Sequence, residues 1–165
     1  MAPRQIVVLR HAEKPDDPAD PNLSPAGEQR AKMLASLIPQ RFPHPDYLFA
    51  AAPSKESNRP VQTLTPLATK LGMKLDADIA DKDYPKLAAD LLNKPKYVDK
   101  LMIVCWHHGH IPGLAMALGV PQPAVAAAPG ITDMRWDPTV FDRFWSIVFS
   151  GPIVTLTTST QTPAG

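Results

Sequence analysis

Two apolar segments stand out against a chain that is otherwise mixed in polarity. Gln5–Leu9 (QIVVL) and Leu101–Trp106 (LMIVCW) are short continuous runs with β-branched residues, which is typical of strands buried on both faces of a sheet. Three weaker runs predict further strands: Tyr47–Ala51, Phe144–Phe149 and Ile153–Thr158. The last two flank Ser150-Gly151-Pro152, a sequence that predicts a turn between antiparallel strands.

Helix signals fall between these strands. Ser24 followed by Pro25 is typical of a capped helix start, and the apolar spacing that follows gives this helix one buried stripe. Pro60 predicts the start of a second helix, and Gly72 is placed to end it. Two shorter helices are predicted over Tyr84–Leu92 and Gly113–Leu118. The acidic segment between the second and third helices predicts irregular structure.

The alternation of strands and helices predicts the fold class. We expect an α/β three-layer sandwich, with a mostly parallel central sheet and helices on both faces. The 165 residues suit one domain with a sizeable core, so residues 1–165 are predicted to form a single domain. In such sheets the ligand lies at the carboxyl ends of the strands, where Arg10-His11 and His107-His108 follow the two strongest strand candidates.

Composition and charge narrow the class of protein. Hydrophobic residues make up 44% and charged residues 20%, and Lys+Arg exceed Asp+Glu by 17 to 16. This balance argues against a nucleic-acid partner, whose binding requires many cations, and no apolar stretch predicts a membrane span. The N-terminal residues lack a secretory pattern, so we expect a cytoplasmic protein. Cys105 is the only cysteine, so no internal disulfide is possible, and it is interpreted as a buried strand thiol.

Four short motifs occur in one order along the first two-thirds of the chain. They are LRHAEK (Leu9–Lys14), LSPAGEQRA (Leu23–Ala31), RPVQT (Arg59–Thr63) and HGHIPGL (His108–Leu114). With these motifs the chain resembles the histidine phosphatase superfamily, which includes phosphoglycerate mutases and acid phosphatases, as a short single-domain, phosphoglycerate mutase-like member. The second motif is interpreted as structural, with Gly27 allowing close packing.

The resemblance implies a function and four catalytic residues. His11 would be the nucleophile that becomes a phosphohistidine, and Arg10, Arg59 and His108 would bind the phosphate. The chemistry agrees, since an arginine fork binds two phosphate oxygens and nearby guanidinium groups keep an imidazole neutral. We therefore expect a phosphatase that acts on a small phosphoester or a phosphorylated protein, without a cofactor or a metal.

The proton donor for the leaving group is open at the sequence level. Relatives that act on phosphomonoesters use a carboxylic acid, which in longer members follows the Arg59-type motif. The candidates here are Asp83, Glu13 and Asp81, and Asp83 is favoured because it adjoins a predicted helix start.

The three histidines after the second strong strand also leave a choice. Aligning Gly109 with the family pattern selects His108, and the roles of His107 and His110 stay open. A metal site built from these histidines is the weaker alternative, because adjacent residues at a strand end point in different directions.

Other phosphoryl-transfer mechanisms lack their motifs. The sixth residue after Cys105 is Ile111 rather than the arginine of a cysteine phosphatase, and Asp76-Ala-Asp78 matches an aspartyl-phosphate motif only in part. No P-loop and no GxSxG turn is present. The remaining alternatives to a phosphatase are mutase-type phosphoryl transfer and a phosphate-binding module without catalysis.

Overall fold

A six-stranded sheet organises the chain in the computed structural model, which describes residues 1–162. The sheet strands are β1 (Gln5–Arg10), β2 (Tyr47–Ala50), β3 (Leu75–Asp76), β4 (Leu101–Trp106), β7 (Arg143–Ser150) and β8 (Ile153–Thr160). Two further strands, β5 (Ile131–Thr132) and β6 (Arg135–Trp136), form a small separate ribbon. The helices are α1 (Pro25–Arg41), α2 (Arg59–Leu71), α3 (Tyr84–Asn93), α4 (Ile111–Ala117) and α5 (Gln122–Ala126).

The strand order of the sheet is β3-β2-β4-β1-β7-β8. The first four strands in this order are parallel, whereas β7 is antiparallel to both β1 and β8. The predicted α/β fold with a mostly parallel central sheet is therefore confirmed. Strands β1 and β4 are paired in register, with Arg10 opposite Trp106 at their carboxyl ends. The residues that follow these two strands consequently leave the sheet side by side.

Alternating residues of β1 divide the core into two apolar clusters. Val7 and Leu9 belong to a cluster with the buried residues of α1 and α2. Ile6 and Val8 point to the other face, where they share a cluster with residues of α3, α4 and α5. Helices therefore cover both faces of the sheet, and the ends of its central strands lie between them.

The end signals in the sequence mark the long helices correctly. Ser24 caps α1, since its hydroxyl accepts a hydrogen bond from the Gly27 N–H at 3.0 Å. Gly72 ends α2 in the left-handed conformation with φ of 63°. The late antiparallel pair is also confirmed as β7 and β8. The sequence analysis missed α5, the β5–β6 ribbon and the short strand β3, whose second residue, Asp76, begins the segment Asp76–Asp83 that was predicted to be irregular.

No helix among residues 1–162 is both long enough and apolar enough to cross a membrane.

Candidate active site

The predicted nucleophile, His11, directly follows β1 and is only 1% exposed. Its Nδ1 lies 2.7 Å from the Ala12 carbonyl oxygen, which can only accept, so Nδ1 carries the proton. The Nε2 lone pair is then available to attack an electrophile. Burial, assisted by the Arg10 guanidinium, lowers the pKa of His11 to about 3, so the ring is neutral at neutral pH.

Arg10 lies beside this ring as a buried cation with free donors. Its Nη1 donates to the carbonyl oxygens of Pro138 at 2.7 Å and Val140 at 3.1 Å, and its Cζ lies 3.6 Å from the centroid of the Phe141 ring. Its Nε and Nη2 are buried and have no hydrogen-bond partner among residues 1–162. Burial lowers its pKa to about 10, which still leaves it charged at neutral pH. Unpaired donors on a buried cation are what an anion site requires.

Arg59, the first residue of α2, is 8% exposed and binds the loop that precedes α1. Its Nε donates to the Asn22 carbonyl oxygen at 3.0 Å, and its Nη2 donates to the Asp20 carbonyl oxygen. Burial lowers the pKa of Arg59, and its charge contributes to lowering the pKa of both Arg10 and His11. The structure therefore brings the two predicted arginines and the predicted nucleophile into one electrostatic cluster.

A buried threonine, which the sequence analysis did not select, connects the segment after His11 to the segment that begins with Arg59. The Thr63 hydroxyl accepts a hydrogen bond from the Ala12 N–H at 2.9 Å and donates to the Arg59 carbonyl oxygen at 2.7 Å. It thus joins the residue after the nucleophile to the first turn of α2. Its place in the RPVQT motif was the only signal in the sequence.

The histidines after β4 lie next to the nucleophile, and His107 has its ring centroid 5.7 Å from that of His11. Its Nδ1 accepts a hydrogen bond from the Gly109 N–H at 3.1 Å, so in the neutral ring Nε2 carries the proton. The ring of His108 lies 4.5 Å from that of His107. Burial, together with the Arg10 charge, lowers the pKa of His108 to about 3, and its Nδ1 has no partner among the described residues.

The position of His107 follows from strand register. Arg10 pairs with Trp106, so the next residues, His11 and His107, leave the two strands side by side. The motif alignment selected His108 instead, and its role stays a prediction. The structure adds His107 to the side chains that lie beside His11.

The three carboxylic acid candidates occupy different environments. Glu13 is held by Arg30, with Arg30 Nε–Oε1 at 2.7 Å and Arg30 Nη2–Oε2 at 3.1 Å. Asp83 is exposed at the start of α3, whereas Asp81 lies on the wall of a cavity. Burial raises the pKa of Asp81, which favours the protonated form that a general acid needs. The geometry therefore favours Asp81 over Asp83, the candidate preferred from sequence.

This cavity has a volume of about 400 Å³ and opens beside the cluster. Its polar lining consists of Ser54, Glu56, Ser57, Arg59, Asp81, Lys82 and His107. Small apolar residues complete the wall: Ala51, Ala52, Pro53, Pro60 and Ala80. Within residues 1–162, no group of three or more histidine, cysteine or acidic side chains is arranged to hold a metal ion.

Solved structures identify the architecture. The phosphohistidine phosphatase SixA complexed with tungstate shares 16% identity, with a TM-score of 0.64 over 95% of this chain and 97% of that chain. A mycobacterial glucosyl-3-phosphoglycerate phosphatase shares 14% identity, with the same TM-score and coverage. Phosphoglycerate mutase from Plasmodium falciparum shares 16% identity, with a TM-score of 0.61 over 95% of this chain and 90% of that chain. The chain has the fold of the histidine phosphatase superfamily.

The resemblance inferred from the four motifs is thus confirmed at the level of the fold. No protein-family model and no curated protein sequence matches the chain. Within the histidine phosphatase fold, the first, third and fourth motifs place their histidines and arginines at the carboxyl ends of β1 and β4 and at the start of α2. The second motif lies where α1 packs on the residues after the nucleophile, and a Cβ on Gly27 would lie 2.3 Å from the Glu13 carbonyl oxygen.

Proposed function

We propose that the chain is a phosphatase that acts through a phosphohistidine on His11, with a small phosphoester or a phosphorylated protein as substrate. The observation that carries the proposal is the pairing of a neutral nucleophile with a buried, partly unpaired cation. His11 presents an unprotonated Nε2, and the adjacent Arg10 has two buried N–H groups without a partner among residues 1–162. A phosphoryl group would satisfy both features at once.

The proposed reaction has two steps. In the first, His11 Nε2 attacks phosphorus, the bond from phosphorus to the leaving oxygen breaks, and Asp81 gives that oxygen a proton. In the second, water attacks the phosphohistidine, its proton passes to Asp81, and His11 and inorganic phosphate are released. Arg10, Arg59 and the His107–His108 pair would stabilise the charge on the equatorial oxygens in both steps.

Cavity size supports a small phosphoester. A volume of about 400 Å³ accommodates a phosphate with a compact leaving group. The SixA neighbour is named a phosphohistidine phosphatase, which keeps a phosphorylated protein as the second substrate class. Both classes belong in the first substrate panel.

The first experiment measures phosphate release from p-nitrophenyl phosphate by wild type and His11→Ala. We expect the substitution to abolish hydrolysis, because alanine removes the Nε2 that would attack phosphorus. His44→Ala is the matched control, since His44 is exposed and bonds to the adjacent Pro45 carbonyl oxygen. Full activity in His11→Ala would remove His11 from the mechanism.

The second experiment traps the intermediate with a short pulse of labelled substrate. A phosphohistidine is labile in acid and stable in alkali, so the label should be lost from wild type at low pH only. A label that survives acid would point to another nucleophile. Transfer of the label to a second alcohol without release of phosphate would favour mutase-type chemistry, and binding without any labelling would favour a phosphate-binding module.

A further inference from the structure

A histidine faces the candidate proton donor at the cavity wall. Nε2 of His110 lies 3.4 Å from Oδ2 of Asp81, whose other oxygen, Oδ1, is buried without a partner among residues 1–162. Resting on the proposed phosphatase function, we propose that His110 is a positioning residue that holds Asp81 for protonation of the leaving group. This arrangement suits the site to phosphomonoesters of alcohols.

The backbone of Asp81 is fixed to the strand that leads into the site. The buried indole of Trp106 donates from Nε1 to the Asp81 carbonyl oxygen at 2.9 Å, and Trp106 is the last residue of β4. The Asp83 N–H also donates to the Ala80 carbonyl oxygen at 2.9 Å, which closes the turn around Asp81. The carboxyl group is therefore attached to a short, hydrogen-bonded turn beside His107.

The imidazole of His110 is held from its other side. Its ring stacks on that of Tyr84 with the centroids 5.3 Å apart and an angle of 30° between the planes. The Tyr84 hydroxyl packs so closely on α4 that a Cβ on Gly113 would lie 2.7 Å from it. The backbone N–H of His110 also donates to the His107 carbonyl oxygen at 3.0 Å. The side chain is 37% exposed, so it contacts both solvent and Asp81.

These contacts give the two carboxyl oxygens of Asp81 different roles. In this proposal the Nε2–H of His110, 3.4 Å from Oδ2, would orient that oxygen, which leaves Oδ1, the oxygen without a partner among residues 1–162, to carry the proton. As the phosphorus–oxygen bond breaks, the Oδ1 proton moves to the leaving oxygen, and an alcohol departs with Asp81 as a carboxylate. In the hydrolytic step the carboxylate takes one proton from the attacking water, so Asp81 returns to the acid form and the cycle is balanced.

The need for this proton depends on the leaving group. An alkoxide is a strong base and leaves slowly unless it is protonated, whereas p-nitrophenolate departs readily as an anion. A general acid contributes about 10²–10⁴-fold where the leaving group requires it. The placement of Asp81 and His110 therefore indicates a substrate whose phosphate is esterified to an alcohol.

The test compares glycerol 2-phosphate with p-nitrophenyl phosphate in four variants. Asp81→Asn should lower kcat/KM for glycerol 2-phosphate by about 100-fold or more and for p-nitrophenyl phosphate by less than about tenfold. His110→Phe keeps a ring against Tyr84 without a donor and should show the same selective loss, about tenfold on the alkyl ester. His110→Gln keeps a donor and should recover most of that rate. Asp83→Asn, in the same turn but exposed, is the matched control and should resemble wild type.

A pH profile separates positioning from a purely structural role. The charged and titratable groups facing Asp81 are His107 and His110, with Glu56, Arg59 and Lys82 further along the cavity wall. A donor at Oδ2 favours the carboxylate, so its loss in His110→Phe should raise the pKa of Asp81. The acid then stays protonated to higher pH, and the basic limb of kcat for glycerol 2-phosphate should move upward.

The outcomes distinguish this inference from the proposed function. If wild type hydrolyses neither ester, or if His11→Ala keeps activity, the proposed function fails and the inference fails with it. Another outcome is that hydrolysis depends on His11 while Asp81→Asn and His110→Phe affect both esters equally, or neither. In that case the proposed function stands, and the inference that His110 positions Asp81 as the proton donor is wrong. Equal activity of His110→Phe and His110→Gln, with an unmoved pH profile, would also overturn it.

Discussion

At His11, burial and one hydrogen bond together determine the reactive form of the ring. Desolvation penalises the charged imidazolium, and the Ala12 carbonyl oxygen fixes the proton on Nδ1. The side chain is therefore a neutral imidazole with an unprotonated Nε2, the form that the proposed mechanism requires. The same burial makes the folded state less stable at low pH, because the unfolded chain can protonate this histidine and the native state resists it.

This linkage predicts a pH-dependent loss of stability that His11→Asn reduces. The pKa of His11 is lowered from 6.5 to about 3 on folding, so its contribution is complete above pH 6.5 and is lost as the pH falls towards 3. As the pH falls through that window, the free energy of unfolding of wild type should decrease by up to about 1.4 kcal/mol per pH unit more than that of His11→Asn. Urea unfolding at several pH values measures the difference. The exposed His44→Asn should follow the wild-type slope, and equal slopes for wild type and His11→Asn would contradict burial of a neutral ring.

Thr63 provides a second prediction at the scale of one atom. Thr63→Val keeps the shape of the side chain but removes the hydroxyl that joins the Ala12 N–H to the Arg59 carbonyl oxygen. A buried N–H left without a partner costs about 1–3 kcal/mol, and kcat should fall because both site segments lose their common anchor. Chemical denaturation and p-nitrophenyl phosphate hydrolysis report the two effects. Thr65→Val, which removes an exposed hydroxyl bonded to Val61 on the same helix, should change neither by much.

Among the secondary-structure elements, α1 and the segment after the nucleophile are packed backbone to backbone. Ser24 donates to the Glu13 carbonyl oxygen from both its N–H, at 3.0 Å, and its hydroxyl, at 3.2 Å. Arg30 adds the ion pair with the Glu13 side chain. The helix start therefore positions the residues that follow His11.

Gly27→Ala tests this contact against helix propensity. In an ordinary helix the change would stabilise by up to about 1 kcal/mol. Here the new Cβ would lie 2.3 Å from the Glu13 carbonyl oxygen, so α1 or the nucleophile segment must shift. We expect a net destabilisation of about 1–3 kcal/mol and reduced activity. Thermal unfolding measures the sign, and Gln29→Ala, at an exposed position of α1, is the control. A stabilised Gly27→Ala would show that the contact relaxes freely.

The elements that sequence predicted and those it missed differ in length and in the locality of their signals. The long strands are predicted by continuous apolar runs, and the long helices by the Ser24-Pro25 cap and the Gly72 end signal. The missed strands β3, β5 and β6 are each only two residues long, which is too short for a hydrophobic periodicity to show. The choice between Asp81 and Asp83 depends on which side of one turn faces the cavity, and no composition signal carries that information.

Over the whole molecule, the site is assembled from segments far apart in the chain. Arg10 bonds to Pro138 and Val140, which are 128 and 130 residues away, and its guanidinium packs on Phe141. Sequence analysis identified the arginine but not the segment that covers it, because only tertiary folding brings the two together. One consequence is that Arg10 holds two buried donors without a partner among residues 1–162.

An oxyanion should therefore stabilise the entire fold through Arg10. A ligand that binds only the native state adds about 2.7 kcal/mol at a hundred times its Kd, which corresponds to a rise in Tm of about 5–10 °C for a chain of this size. Thermal unfolding with increasing phosphate or tungstate should show this rise for wild type. Arg10→Met removes the charge and both free donors, so its Tm should hardly respond to either anion. Arg41→Met removes an exposed arginine that bonds to the end of β8, and it should retain the full response. An equal rise in Arg10→Met would mean that the anion stabilises the fold at another place, and Arg10 would then lose its assigned role in binding the phosphoryl group.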